Sequence, residues 1–282
     1  MNKKVDIICP LYNAEKYIVP LHESLLRQEK ITINKIKYIL TESSDNTEKI
    51  LNENNFNYKK ISKKDFSHSL VRENAAFESD ADIVVFISQD IVIEDNMWLK
   101  NLIFPIETKE ASASYSRQIT KYNNIEKYTR IKNYPNESSL KSKGDIPYLG
   151  LNTFFFSDAS SAVDLSIFKQ LNGYDNKNLP INEDMYFAYK LIMNNYKIKY
   201  CANSIVYHSH KFTLKELYNR YKLTGKFMKE NSYLDEFGTT SSGGKLALYV
   251  LKQSLKDGNI KVLFRFPFDM GARFLGMKAG KK

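Results

Sequence analysis

Residues 83–90 read Ile83-Val84-Val85-Phe86-Ile87-Ser88-Gln89-Asp90, an unbroken apolar run rich in β-branched side chains that stops at a polar triplet. A strand with one wet face would show a polar residue at every second position, so this run predicts a parallel strand covered on both faces. The chain before it fits the same architecture. VDIICPLY at 5–12 reads as a buried first strand interrupted by a proline. From Ala14 to Gln28, Tyr17, Ile18, Leu21, Leu25 and Leu26 fall at helical spacing, and IKYIL at 36–40 is a second strand running into the turn-rich TESSDNT. Residues 47–52 then read as a helix. This β-α-β-α-β order predicts an α/β fold, an open, mostly parallel sheet flanked by helices. Its ligand site lies at the carboxyl ends of the strands, so the polar residues just past each strand carry the chemistry.

The chain has 282 residues, 43% hydrophobic and 26% charged, which excludes a disordered tail or a mini-protein and suffices for a large core. Its two cysteines, Cys9 and Cys201, make no disulfide framework and lack zinc-ligand spacing, which points to a reducing compartment, the cytoplasm. The apolar part of MNKKVDIICPLYN is broken at Asp6 and Pro10, too short for a signal peptide or a membrane span. Net charge is +10, and residues 211–282 supply most of it, with 15 Lys+Arg against 6 Asp+Glu. Leu, Phe, Tyr and Met interleave those lysines. Such a surface suits the anionic inner face of the plasma membrane, a second copy in a homodimer, or a polyanion, and a solvated basic face is the plain alternative.

The expected division is therefore a sheet-bearing region over 1–212 and a helical basic extension over 213–282. In the extension Leu214, Leu217, Tyr218 and Tyr221 share one helical face, and a Gly/Ser/Thr break at 238–244 precedes a last basic, apolar stretch. Residues 122–145 offer few core positions and read as a loop or lid.

Neither GxGxxG nor GxxxxGK[ST] occurs, which argues against dinucleotide redox chemistry and P-loop phosphoryl transfer. Phosphate must then be held another way, and a divalent ion on carboxylate and imidazole ligands does this. Asp90, at the end of a buried strand, is the best single ligand; taken alone it reads first as a turn or helix N-cap aspartate, and its setting is what favours a ligand. Glu183-Asp184 lies ahead of the apolar helical pattern MYFAYKLIMNN, where carboxylates also serve the helix dipole; the chemical reading is a general base. Tyr207-His208-Ser209-His210 follows the strand-like SIVY and places two histidines two apart, either as a metal pair or as one ligand with a structural partner.

Taken in order, these residues resemble the inverting family 2 glycosyltransferases with the GT-A fold, and within them the bacterial rhamnosyltransferase-like branch. Cys9-Pro10-Leu11-Tyr12-Asn13 is similar to the opening P-x-Y-N element. Phe66-Ser67-His68-Ser69-Leu70-Val71-Arg72-Glu73-Asn74-Ala75 resembles F-x-H-x-x-x-R-x-x-A, and Tyr115-Ser116-Arg117-Gln118 resembles Y-G-R-Q. Ser88-Gln89-Asp90 stands where most members have D-x-D and this branch has T-Q-D. Phe155-Phe156-Ser157-Asp158-Ala159-Ser160-Ser161, Asn182-Glu183-Asp184 and Val206-Tyr207-His208-Ser209-His210 follow in the family's order. The sequence departs from the family after the second strand, where D-x-S-x-D is usual and Thr41-Glu42-Ser43-Ser44-Asp45 stands here.

The resemblance implies a nucleoside diphosphate sugar donor contacted by Pro10, Tyr12, Asn13, Glu42, Arg72, Gln89 and Asp90. It implies magnesium or manganese on Asp90 and His208, Asp184 as general base with Glu183 beside it, and Arg117, Asp158 and Ser160 toward the acceptor or sugar. The implied reaction moves a sugar, L-rhamnose from dTDP-rhamnose foremost, to a surface-polysaccharide glycan, free or lipid-linked, with inversion. A UDP-hexose or UDP-galactofuranose donor is the nearer alternative. A sugar nucleotidyltransferase lacks the basic glycine-rich loop it would need, and nucleic-acid binding through 211–282 has no motif behind it, so no nucleic-acid partner is expected.

Overall fold

The structure, a computed structural model, describes residues 3–238 and 240–282, and the side chains of these apart from 240–243. The strands are β1 (Val5–Leu11), β2 (Ile33–Thr41), β3 (Tyr58–Ile61), β4 (Ile83–Ile87), β5 (Ala113–Ile119), β6 (Ser139–Lys141), β7 (Ser160–Asp164) and β8 (Ile198–Tyr207). Among the described residues they form one eight-stranded sheet in the order β3-β2-β1-β4-β7-β5-β8-β6. The half built from β3, β2, β1 and β4 is parallel, as the element order predicts. β7 then runs antiparallel to both β4 and β5, and β6 antiparallel to β8.

Helices α1 (Ile18–Leu26), α2 (Thr47–Glu53), α3 (His68–Phe77) and α4 (Trp98–Glu107) accompany the parallel half. They are followed by α5 (Ile125–Asn133), α6 (Ile146–Leu149), α7 (Leu165–Gln170), α8 (Glu183–Met193), α9 (Leu214–Glu230), α10 (Thr240–Lys256) and α11 (Ile260–Lys281). By its contacts the chain makes two compact units, Met1–Arg117 with Asn136–Lys143 and Phe154–His208, and Gln118–Pro135 with Gly144–Thr153 and Ser209–Lys282.

In the first unit β4 is buried along its whole length, which is why its sequence never alternates. One face of the sheet lays Val5, Ile7 and Leu11 of β1 and Val85 of β4 against Leu21 and Leu25 of α1 and Trp98, Leu102 and Ile106 of α4. On the other face the ring of Phe86 meets Phe168 of α7 at 5.7 Å, and Phe168 meets Phe187 of α8 at 4.8 Å. Each such side chain contributes about 1.5–3 kcal/mol on burial. The aromatic stack fixes α8, and with it the carboxylates of its first turn.

Residues 122–145, expected as a loop or lid, contain α5, the strand β6 and a short 3-10 turn. The reason is a narrow apolar stripe: Ile125 and Tyr128, one turn apart, are buried with Val250 of α10 and Val262 of α11, while the polar face of α5 dominates its composition. The expected break at 238–244 is shorter than its composition suggests, because α10 starts at Thr240; Thr239 lies outside the described residues. In the second unit α9 and α11 cross at backbone contact distance. A Cβ on Gly276 would strike the carbonyl oxygen of Tyr218, and one on Gly280 that of Lys222, so only glycine permits this approach. Among the described residues no helix is long and apolar enough to cross a membrane.

Candidate active site

The strand ends of the first unit are tied to one another by side chains. Asn13, in the left-handed region at φ 48°, turns the chain after β1; its N–H donates to Ser43 Oγ at 3.0 Å and its Oδ1 accepts the Ser44 N–H at 2.9 Å. Gln89 reaches back to β1, accepting the Tyr12 N–H at 2.7 Å on Oε1 and donating Nε2 to the Tyr12 carbonyl at 2.9 Å. Its amide thus acts as a ladder rung and is spent on backbone. Tyr12 itself stays 44% exposed, with Lys63 Nζ 5.4 Å from its ring centroid. The exposed Glu42 accepts the Lys63 N–H at 3.3 Å, so Tyr12, Lys63 and Glu42 make one rim at the ends of β1 and β2. Pro10 lies within β1, half-buried beneath that rim.

Asp90 and His208 come from distant parts of the sequence. The bridge between Val92 and Tyr207, two hydrogen bonds of 2.9 Å, draws the segment after β4 to the end of β8. It sets His208 Nε2 3.5 Å from Asp90 Oδ1, with the imidazole largely buried and the carboxylate about one-quarter open (24%). One carboxylate oxygen and one imidazole nitrogen at this separation form a donor pair suited to magnesium or manganese.

The second cluster is built on one face of α3. Its N-cap Ser67 accepts the Leu70 N–H, and Ser69, Arg72 and Glu73 follow at helical spacing. Ser69 Oγ donates to the Lys177 carbonyl at 2.5 Å and accepts the Leu179 N–H at 2.9 Å. Glu73 accepts the N–H groups of Tyr174 and Asn176, the latter at 3.0 Å. Gly173, at φ +45°, passes so close that a Cβ would meet Glu73 Oε2 at 2.7 Å. One helix therefore pins the loop that delivers α8.

At the head of α8, Arg72 Nη1 donates to Glu183 Oε1 at 3.0 Å in a buried pair, and Nη2 reaches the Asp158 carbonyl at 3.4 Å. Asp158 is itself buried, accepting Ser161 Oγ at 2.7 Å and the Tyr174 hydroxyl at 2.6 Å. Asp184 accepts the Met185 N–H at 2.7 Å and keeps part of its surface exposed. Burial, reinforced by the charges of Glu183 and Asp158, pushes its carboxyl well above the usual carboxylate range. Burial in the core raises the Cys9 thiol above its ordinary range.

The structure thus brings together Tyr12, Asn13 and Glu42 at one rim, Asp90 with His208, and Arg72 with Glu183, Asp158 and Asp184. It puts Arg72 beneath the surface with its guanidinium engaged by protein groups, whereas the resemblance had it touching the donor. Ser160, expected toward the acceptor, has no exposed surface and lies in a knot with Ser116 and Trp98 Nε1, at 2.6 and 3.2 Å. An acceptor-facing role does not fit such a hydroxyl. Arg117, on β5, is half-buried, with an Nε that has no partner among the described residues.

Sequence reasoning missed Ser69, Glu73 and Tyr174, which shape the loop, and Lys141. Burial pushes the Lys141 amine down to about 7; it donates to the Phe155 carbonyl at 2.9 Å and lies 5.3 Å from the Tyr115 and Phe155 rings. The spacing of Ser69, Arg72 and Glu73 on one helical face was the available signal for the first two.

Residues 6–171 match the model of Glycosyl transferase family 2. The chain belongs to this family. The family 2 match takes in Arg72, Asp90 and Asp158 and ends before Glu183, Asp184 and His208, but two curated relatives extend it. The O-antigen chain rhamnosyltransferase RfbN of Salmonella typhimurium is 32% identical over 99% of this chain and 90% of its own length. WbaN of Salmonella anatum, another O-antigen chain rhamnosyltransferase, is 32% identical over 98% and 88%. Among solved structures, the mannosyltransferase PcManGT from Pyrobaculum calidifontis, in complex with GDP-Man and Mn2+, shares the fold with a TM-score of 0.64 at 11% identity, covering 100% of this chain and 85% of that one. TarS from S. aureus, residues 1–349 in complex with UDP-GlcNAc, does so with a TM-score of 0.56 at 16% identity, over 95% and 79%. The protein is therefore a glycosyltransferase of family 2 with the GT-A arrangement of sheet and helices.

Proposed function

We propose that this enzyme is an inverting, metal-dependent rhamnosyltransferase that moves L-rhamnose from dTDP-rhamnose to a growing surface-polysaccharide chain, free or lipid-linked. The observation that carries the reading is the near full-length likeness to two O-antigen chain rhamnosyltransferases, which spans both carboxylate clusters. The geometry supports a division of labour. Tyr12 offers an open ring on which a nucleobase can stack, and Glu42 stands beside it with acceptor oxygens for base or ribose. Asp90 and His208 would hold the divalent ion, which supplies charge neutralisation to the diphosphate as it leaves.

Asp184 takes the proton from the acceptor hydroxyl. The freed oxygen attacks the anomeric carbon from the face opposite the diphosphate, the old carbon–oxygen bond breaks, and the electron pair leaves with the nucleotide. A carboxylate whose pKa is raised by burial is a stronger base for that step than an exposed one. Glu183 is occupied by Arg72 and so positions the turn that presents Asp184. In this reading the basic, apolar helices of the second unit lie against the inner face of an anionic bilayer, where each lysine near the surface contributes ~1 kcal/mol of attraction.

The test is thermal stabilisation of the purified protein by dTDP, UDP and ADP, each with manganese and with chelator, because a ligand bound to the folded state raises its stability. Manganese-dependent stabilisation by dTDP above UDP is the expected result. A preference for UDP moves the donor to a uridine sugar, and no response to any nucleotide overturns the reading.

A further inference from the structure

Within the second unit, the start of α5, the face of α11 from Lys261 to Arg273 and the stretch 210–212 enclose a cavity of about 210 Å³. Four cationic side chains line it, Lys211, Lys261, Arg265 and Arg273, against two carboxylates, Glu126 and Asp269. The carboxylates are already spent: Arg130 Nη2 lies 3.4 Å from Glu126, and Arg265 Nε lies 3.0 Å from the buried Asp269. The Lys211 amine sits 4.3 Å from the centre of the Tyr122 ring, and the Arg273 guanidinium stacks 5.0 Å from that of Tyr221. Arg273 also donates Nη1 to the Tyr221 hydroxyl, which holds its guanidinium at the wall of a cavity whose charge balance is positive. The two helix N-termini add their dipoles with the same sign.

A groove opens beside this cavity and shares Lys261 and Arg265 with it. Its other walls are Leu214 and three residues at four-residue spacing on α11, Ile260, Phe264 and Phe268, which are 62%, 75% and 65% exposed. Exposed phenylalanines aligned on one helical row, next to a row of cations, form a surface with a single sign of charge and a single apolar edge. A free anion would need only the first part. A molecule with an anionic phosphate head and apolar chains uses both.

We infer that the cavity seats the headgroup phosphate of an anionic bilayer phospholipid, whose chains lie over Ile260, Phe264 and Phe268. The inference deepens the membrane-surface part of the proposed function by naming the contact, and it rests on that part alone. Depth of insertion follows from the geometry: the phenylalanines enter the acyl boundary while Lys261 and Arg265 stay at the phosphate level.

The experiment is flotation of the intact protein with vesicles of phosphatidylcholine alone and of phosphatidylcholine mixed with phosphatidylglycerol. Capture by the mixed vesicles is expected, and the cavity variant Lys261→Gln/Arg273→Gln should lose about tenfold or more in the bound-to-free ratio. The charge-matched variant Lys245→Gln/Lys252→Gln, altered on the exposed face of α10, should lose clearly less. Stabilisation by nucleotide with manganese reports that each variant is folded. Equal losses in the two variants would mean diffuse surface charge and overturn the cavity, leaving the membrane reading in place. No capture of the wild type by either vesicle overturns both. Stabilisation by inorganic phosphate in chelator without vesicle capture assigns the cavity to a free anion and overturns the lipid. Flotation unchanged in Phe264→Ser/Phe268→Ser overturns the groove.

Discussion

The two carboxylate clusters of the first unit are made in opposite ways. Around Arg72 the protein supplies partners for nearly everything: Glu183 has its guanidinium, and Asp158 has two hydroxyls and a buried setting. Around Asp90 the geometry is looser: His208 Nε2 stands 3.5 Å away, and the carboxylate stays partly open. The first cluster leaves Arg72 Nε as a buried donor with no partner among the described residues, and otherwise serves as a mould for the loop before α8. The second presents a partly open carboxylate beside an imidazole, the kind of ligand set a divalent ion takes. Asp184 sits at the edge of the first cluster and shares the openness of the second.

This contrast can be broken experimentally, and Asp184→Asn should do it most severely. Loss of the base should lower turnover about 10²–10⁴-fold while nucleotide stabilisation persists. The pH profile sharpens the point. Because burial and the neighbouring carboxylates raise Asp184, and only its deprotonated form accepts the proton, activity should fall on acidification from a higher pH than an ordinary carboxylate would give. A wild-type profile flat down to the usual carboxylate range would remove Asp184 from the role.

Arg72→Met comes next, with a stability loss of about 3–5 kcal/mol in chemical denaturation, since it strands a buried carboxylate. Adding Glu183→Gln should recover part of that loss; a merely additive double variant would show that the pair is not the unit it looks. Asp90→Asn should leave stability nearly unchanged and abolish the manganese dependence of nucleotide stabilisation, separating the two clusters by readout. The smallest effect belongs to Tyr174→Phe, which removes the 2.6 Å hydrogen bond to Asp158 and should cost about 1–2 kcal/mol with nucleotide binding intact.

The parallel half of the sheet was legible because burial on both faces writes itself into the sequence as unbroken apolar runs, as at Ile83–Ile87. The head of α8 was legible for a similar reason, an apolar helical pattern with acids in front. What escaped were contacts that leave no periodic trace. Ser160 carries the same letter whether it faces an acceptor or Trp98, and its burial is set by strands far apart in the chain. Arg72 belongs to a motif whose spacing marks a shared helix face but not which way that face looks. Residues 125–133 read as loop because two buried apolar side chains, Ile125 and Tyr128, are enough when a small satellite core supplies the partners, and two are too few to show among the polar residues.

Gln89 holds Tyr12 by both edges of its amide, and the Ser88 N–H bonds the Ala159 carbonyl at 3.0 Å. The two residues ahead of Asp90 are thus rivets joining the ends of three chain segments, and a rivet works whether or not it is acidic. A site anchored this way keeps its remaining carboxylate aimed while substrates come and go, so a missing first acid need not loosen the grip; accuracy of aim stands in for a second charge.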